Sequence, residues 1–254
     1  MMRRRSARKR FGQHFLVDEC VLERMVTSIH SVKEDRLLEI GPGYGALTRY
    51  LYGTSQRYLA VEIDRDLIAP LKARFHGLEV LNNDILSLDL AEVLGESRWR
   101  VTGNLPYNIS SPLLLKLFEH LPLIKDMHFM FQRELAQRLC AKPRTKSWGR
   151  LSVMTQYHCD VESLFDVPPE AFRPPPKVHS QVVRLVPKQH KPAVDLARLQ
   201  KVLRLSFSSR RKRMSNALKS LTVQWDRVSV DEGMRPDQLT VEQFVELANS
   251  IEES

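Results

Sequence analysis

Asn104, Leu105, Pro106 and Tyr107 are the run in this 254-residue chain whose residue types and order best suit chemistry. The run offers two hydrogen-bond acceptors, the Asn104 side-chain oxygen and the Leu105 main-chain carbonyl, with a proline to stiffen the turn beside them. An aromatic face follows, and there is no acid, base or strong nucleophile. Two fixed acceptors are what a planar exocyclic amine needs in order to react. The lone pair of such an amine, as on adenine N6, is delocalised into its ring. Holding each N–H favours a pyramidal nitrogen aligned for in-line attack on an electrophile. Tyr107 supplies a flat surface for an extruded base, worth about 1–3 kcal/mol against an unstacking cost of a few kcal/mol, so a base in a single-stranded loop is favoured over one in a duplex. Without context, the same four residues could form a tight turn in which Asn caps and Tyr packs.

The elements around the tetrapeptide supply that context. Six short apolar or β-branched runs, at residues 36–40, 58–63, 79–81, 100–103, 127–131 and 181–186, alternate with longer amphipathic stretches. This alternation predicts an α/β domain with a mainly parallel sheet, whose ligands sit at the carboxyl ends of the strands. The tetrapeptide stands at such an end, after the fourth run. The first run opens into Gly41-Pro42-Gly43-Tyr44-Gly45, a turn whose glycines let a ligand approach the backbone closely. Glu62 lies at the end of the second run, where a carboxylate can accept hydrogen bonds from both hydroxyls of a ribose. Asp84 follows the third and could accept from an adenine amino group. Gly41, Gly43 and Ala46 also fit the dinucleotide pattern, so the turn and Glu62 suit a nicotinamide dinucleotide and S-adenosyl-L-methionine alike. A nicotinamide-dependent oxidoreductase would leave the tetrapeptide without a role. S-adenosyl-L-methionine would give it one, and its sulfonium already activates the methyl, so no metal and no strongly perturbed base are expected. The eight histidines are then bystanders for the most part.

Pro168, Pro169, Pro174, Pro175 and Pro176 exclude a helix or a central strand, so residues 167–177 read as an extended loop before the last strand. Beyond Pro187 the pattern turns helical, with Leu196, Leu199, Val202, Leu203 and Phe207 at helical spacing and a helix start at Thr240, followed by Glu242 and Gln243. The expected organisation is a catalytic domain over residues 1–189 and a small all-α domain over residues 190–254.

The net charge of +9 is unevenly spread. Arg3, Arg4, Arg5, Arg8, Lys9 and Arg10 form one basic group, and Lys201, Arg204, Arg210, Arg211, Lys212, Arg213 and Lys219 another without an intervening acid. Such groups suit phosphate binding, although a run of like charge is also a common solvated face. Cys20, Cys140 and Cys159 are odd in number and widely spaced, which suggests neither disulfides nor a thiolate metal site. No apolar run reaches the ~18–20 residues of a membrane span, and no apolar stretch follows the basic start as in a secretory signal. The expectation is a cytoplasmic protein.

In these residues the sequence resembles the ribosomal RNA adenosine dimethyltransferases that act on small-subunit (16S) rRNA. The likeness spans nearly the whole chain: residues 11–16, 39–43, 61–64, 104–110 (Asn104-Leu105-Pro106-Tyr107-Asn108-Ile109-Ser110), 172–178 (Phe172-Arg173-Pro174-Pro175-Pro176-Lys177-Val178), 207–212 and 242–249. It implies a Rossmann-like class I methyltransferase core that binds S-adenosyl-L-methionine, with a C-terminal helical domain that binds RNA. His14 and Leu16 would close over the cofactor, with Gly41, Glu62, Asp84 and Asn104 completing its site. Phe172 would face the target base opposite Tyr107, and residues 143–150 and a basic helix near Arg210, Arg211 and Lys212 would contact RNA. The implied product is N6,N6-dimethyladenosine at two adjacent adenosines near the 3′ end of the RNA, formed by a monomer within an assembling 30S particle. Large-subunit (23S) methyltransferases of the macrolide-resistance type share the cofactor motifs, but residues 207–212 and 239–249 resemble the small-subunit enzymes. A non-catalytic nucleic-acid-binding relative is opposed by the intact tetrapeptide.

Overall fold

A computed structural model of the chain describes residues 14–252; the basic group at positions 3–10 and the first residues of the 11–16 motif lie outside them. The strands are β1 (Phe15–Leu16), β2 (Arg36–Ile40), β3 (Arg57–Val61), β4 (Glu79–Leu81), β5 (Trp99–Asn104), β6 (Ile124–Gln132), β7 (Cys159–Val167), β8 (Phe172–Arg173) and β9 (Ser180–Pro187). The helices are α1 (Glu19–Ile29), α2 (Thr48–Leu51), α3 (Arg65–Arg74), α4 (Leu90–Leu94), α5 (Ser110–Phe118), α6 (Arg133–Leu139), α7 (Arg150–His158), α8 (Leu196–Ser208), α9 (Met214–Ala217) and α10 (Val241–Asn249). They divide into two compact units. One extends to Ala136 and takes in Glu162–Pro187; the other takes in Gln137–Val161 and the described residues from Lys188 onward. Residues 137–161 thus group with the C-terminal helices, where the sequence put them in the core domain.

The first unit holds a seven-stranded sheet in the order β4-β3-β2-β5-β6-β9-β7. The first five strands run parallel, and β9 is antiparallel to β6. Leu37 and Leu38, neighbours that point to opposite faces, are both fully buried, as a sheet covered on both sides requires. β7 escaped the sequence reading because it is an edge strand whose outward residues are polar, so it carries no continuous apolar run. β1 and β8 escaped it too. They form a separate antiparallel pair, Phe15 opposite Arg173 and Leu16 opposite Phe172, inside segments read as a motif and a proline loop.

α1 shows how local chemistry sets the floor of this unit. Asp18 caps it by accepting from the Val21 N–H at 3.1 Å, and His30 ends it in the left-handed conformation. Val21, Leu22, Met25 and Ile29 form its buried face and join Leu16, Leu47, Leu51, Met130 and Phe172 in one apolar cluster. Each fully buried Leu or Ile there contributes about 1.5–3 kcal/mol.

The second unit packs α7, α8 and α10 side chains around Trp148, Leu203 and Phe244. α10 starts at Thr240, as expected: the Thr240 hydroxyl accepts from the Gln243 N–H at 3.3 Å, and the Gln243 side chain accepts from the Thr240 N–H at 3.0 Å. The expected basic helix is corrected. α8 stops at Ser208, and Arg210, Arg211 and Lys212 lie in the turn that follows, closed by the Lys212 N–H donating to the Ser209 carbonyl at 2.8 Å.

Two features of the sheet fix the geometry at its carboxyl edge. A Cβ on Gly103 would lie 2.3 Å from the Ile40 carbonyl oxygen, so β5 passes β2 closer than any side chain allows. Beneath the glycine turn, the Glu39 carboxyl is fully buried and accepts from the Thr48 and Tyr58 hydroxyls, each at 2.5 Å. Burial lifts its pKa from 4.5 to about 7; the two hydroxyls oppose the rise and the nearby Glu62 carboxylate adds to it. The folded protein therefore binds this proton more tightly than the unfolded chain. Its contribution to stability is complete below pH 4.5 and is lost as pH climbs through about 7.

Gly103→Ala is expected to destabilise the fold by about 3 kcal/mol, lowering the thermal midpoint by roughly 6–12 °C. An unchanged melting curve would show that the strands can separate freely. Glu39→Gln removes the titration while keeping the shape. Between pH 5 and pH 8 the native protein should lose about 3 kcal/mol relative to this variant in urea unfolding, and a gap that stays constant with pH would refute the buried-proton account.

Candidate active site

Four consecutive strand ends meet around a cavity of about 1000 Å³, at the upper end of the range for ligand pockets. β2 delivers the glycine turn, β3 leads into Glu62, β4 into Asp84, and β5 into the tetrapeptide that precedes α5. His14, Leu16, Gly41, Glu62, Asp84, Asn104, Leu105, Pro106 and Tyr107 all line this one cavity. The cavity thus brings together nine residues that the sequence reading had scattered over almost a hundred positions.

At the turn, Gly41 has φ +68°, and a Cβ added there would meet nothing within 4 Å, so the space above the backbone is open to a ligand. Glu62 is 3% exposed and holds the turn in place, accepting from the Gly43 N–H at 3.1 Å and the Asp64 N–H at 2.9 Å. Burial raises its pKa, while those main-chain N–H groups pull it back. A carboxylate has about four acceptor positions, so these bonds leave Glu62 able to accept more. Asp84 uses Oδ1 to cap the Leu86 N–H at 2.9 Å, which orients the carboxylate towards the cavity wall it shares with Ile63 and Ile85. Ile63 is 45% exposed, an apolar surface beside two carboxylates.

Asn104 carries the arrangement furthest. Its Nδ2 donates to the His14 carbonyl at 2.9 Å, and because a carbonyl can only accept, this bond fixes which end of the amide is oxygen. Oδ1 is left as an acceptor. The turn behind it is closed by the Pro106 carbonyl, which accepts from the Ile109 N–H and the Ser110 hydroxyl at 3.2 Å each. Tyr107 is half-buried; its hydroxyl meets the Ser180 hydroxyl at 3.1 Å, and burial raises its pKa. The His14 ring lies 5.9 Å from the Tyr107 ring at an interplanar angle of 28°, and its Nδ1 is 2.8 Å from the Pro174 carbonyl, so Nδ1 carries the proton.

Phe172 is placed differently from the expectation. It is 1% exposed and belongs to the apolar cluster beneath the site, although Leu16, its partner in the β1–β8 pair, also lines the cavity. Its neighbours Arg173 and Pro174 line the cavity instead. Arg210 is placed differently too. Its guanidinium donates to the Lys146 and Thr145 carbonyls at 2.7 and 2.9 Å, which ties two basic loops of the second unit together. Arg211 and Lys212 are exposed, as are Lys142, Arg144, Lys146 and Arg150 in the other loop. Sequence reasoning missed Glu39, which also lines the cavity, and Ser180; the only signal for Ser180 was its place two residues past the 172–178 motif. Among the described residues, no group of three His, Cys, Asp or Glu could hold a metal ion, and no helix is long and apolar enough to cross a membrane.

The chain is 50% identical to ribosomal RNA small subunit methyltransferase A of Pseudomonas aeruginosa over 97% of its length and 95% of that protein's. It is 46% identical to the protein of the same name from Coxiella burnetii over 98% of its length and all of that protein's. Among solved structures, it is similar to a dimethyladenosine transferase from Plasmodium falciparum, with a TM-score of 0.79 and 26% identity over 94% of this chain and 99% of that one. The 23S rRNA methyltransferase ErmE is also similar, with a TM-score of 0.74 and 26% identity over 94% of this chain and 100% of that one. A single family model, ribosomal RNA adenine dimethylase, matches residues 4–253, and this chain belongs to that family.

Proposed function

We propose that this protein uses S-adenosyl-L-methionine to dimethylate the N6 amines of two adjacent adenosines in a loop near the 3′ end of 16S rRNA, acting as a cytoplasmic monomer on an assembling 30S particle. The fixed orientation of Asn104, with Nδ2 committed to the His14 carbonyl and Oδ1 left to accept, is the observation that carries this reading. The small-subunit target rests on the full-length relatives at 46–50% identity, against 26% for the 23S enzyme.

The lining fits the cofactor. Open space above Gly41 accepts a chain close to the backbone, Glu62 offers oxygens to ribose hydroxyls, and Asp84 with exposed Ile63 suits an adenine that needs one acceptor and an apolar face. His14 and Leu16 border the same space. When bound, S-adenosyl-L-methionine supplies a methyl group made electrophilic by its sulfonium. The chain's own task is to hold the amine. Asn104 Oδ1 and the Leu105 carbonyl each accept one N6 hydrogen, which draws the nitrogen lone pair out of the ring, and Pro106 keeps the two acceptors in register. Tyr107 stacks on the extruded base. Each transfer breaks the bond from sulfur to methyl and leaves the nitrogen with a proton to shed, which passes to solvent because neither amide oxygen is basic enough to keep it. After the first, one hydrogen remains for one acceptor, and the same pocket receives the monomethylated amine again.

RNA is held elsewhere, by the exposed cations of residues 142–150 and 211–212. Arg210 braces those loops, with two of its five guanidinium N–H groups committed to main-chain carbonyls.

Two experiments test the reading. Radiolabelled methyl should pass to unmethylated small-subunit particles, and Asn104→Ala should cut that transfer by a hundredfold or more while particle binding is retained. Transfer to 23S rRNA alone would reject the target, and full turnover by the variant would reject the mechanism. Replacing Arg211 and Lys212 together with alanine should reduce the slope of log affinity against log salt by about 1.8, at about 0.9 per phosphate contact on a duplex. Arg210→Ala should weaken binding with the slope intact, and an equal loss of slope would make Arg210 a phosphate ligand after all.

A further inference from the structure

Stacking a base needs only an aromatic ring, and phenylalanine would provide one. The hydroxyl of Tyr107 therefore calls for its own explanation, and its neighbour is Ser180, whose side chain is fully buried. Resting on the proposed base-stacking role of Tyr107, we propose that Ser180 is a positioning residue for the target base: through the hydroxyl–hydroxyl contact it pins the far end of the Tyr107 ring and so fixes where the stacking surface lies.

The topology explains how a residue so far along the chain comes to do this. β9 is the one strand shown to run antiparallel to β6, so its first residue, and not its last, lies at the edge where the parallel strands end. Ser180 pairs with Gln132 at the end of β6, and Asn104 pairs with Met130 two residues earlier on that strand. The Arg133 N–H donates to the His179 carbonyl at 2.9 Å and holds the start of β9 in place. Ser180 is thus anchored by main-chain bonds on a rigid element, while Tyr107 sits in the turn before α5. A tyrosine held only at its backbone can swing about the Cα–Cβ bond and twist about the bond from Cβ to the ring. Ser180, 3.1 Å from the hydroxyl, restrains the swing, because the hydroxyl oxygen lies on the ring axis and moves whenever that axis does. The His14 ring, itself held by the Pro174 carbonyl, lies against the Tyr107 ring and restrains the twist. With those two restraints the ring keeps one position and one plane. A displacement of about 1 Å in a reacting group costs up to a hundredfold in rate, so a modest swing of the stacked base would be felt in turnover.

The test is a double-mutant cycle on the full chain with unmethylated small-subunit particles and S-adenosyl-L-methionine. Ser180→Ala and Tyr107→Phe each break the same contact and are expected to lower kcat about fivefold, in keeping with one neutral hydrogen bond. The double variant should be no slower than either single one, and KM for S-adenosyl-L-methionine should stay within about twofold throughout. Losses that multiply in the double variant, to about 25-fold, would overturn the proposal, as would full activity of Tyr107→Phe. Tyr107→Ala separates this from the reading beneath it. If that variant is strongly impaired while Tyr107→Phe is not, stacking stands and only the role of Ser180 falls; if Tyr107→Ala turns over normally, the stacking role itself is wrong.

Discussion

Where β5 passes the end of β2, the Gly103 backbone lies so near the Ile40 carbonyl that no side chain fits between them. This approach brings the tetrapeptide beside the glycine turn, since Asn104 follows Gly103 and Gly41 follows Ile40. One ligand at the turn and another at the tetrapeptide then share a wall, which is the first requirement of a direct transfer between them. The other parts of the site depend on this spacing. Glu62 steadies the turn from β3, and the start of β9 steadies the turn before α5.

Among the described residues, carboxyls outnumber cations around the cavity. Six acidic residues, Glu39, Glu62 and Asp84 among them, line it together with Arg49, Arg74 and Arg173, in a protein whose net charge is +9. The cations of the 142–150 and 211–212 loops are exposed and suit an anionic polymer.

Much of this was legible in the sequence, and the parts that were not share a cause. β2 and β4 were read with their ends correct because they are short apolar runs bounded by turn residues, and the glycine turn and tetrapeptide follow such runs directly. Local pattern sufficed there. The β1–β8 pair was invisible because it joins residues more than 150 positions apart, each in a stretch too short to show a period. For the same reason the burial of Phe172 could not be read from its neighbours in sequence: it packs among residues of β1, α1 and β2. Arg210 resembled its neighbours in charge, and nothing in the sequence shows that its guanidinium reaches the Thr145 and Lys146 carbonyls. Ser180 and Gly103 owe their meaning to strands that are not adjacent to them in sequence.

The bond from Asn104 to the His14 carbonyl also bears on which residue this position accepts. Aspartate has nearly the same shape and offers an oxygen where Oδ1 now stands. It would set its second oxygen against the His14 carbonyl, lone pair to lone pair, with no hydrogen between them. The amide nitrogen therefore does two jobs, latching the segment that precedes α1 and deciding which atom of the side chain is left to accept a further hydrogen bond.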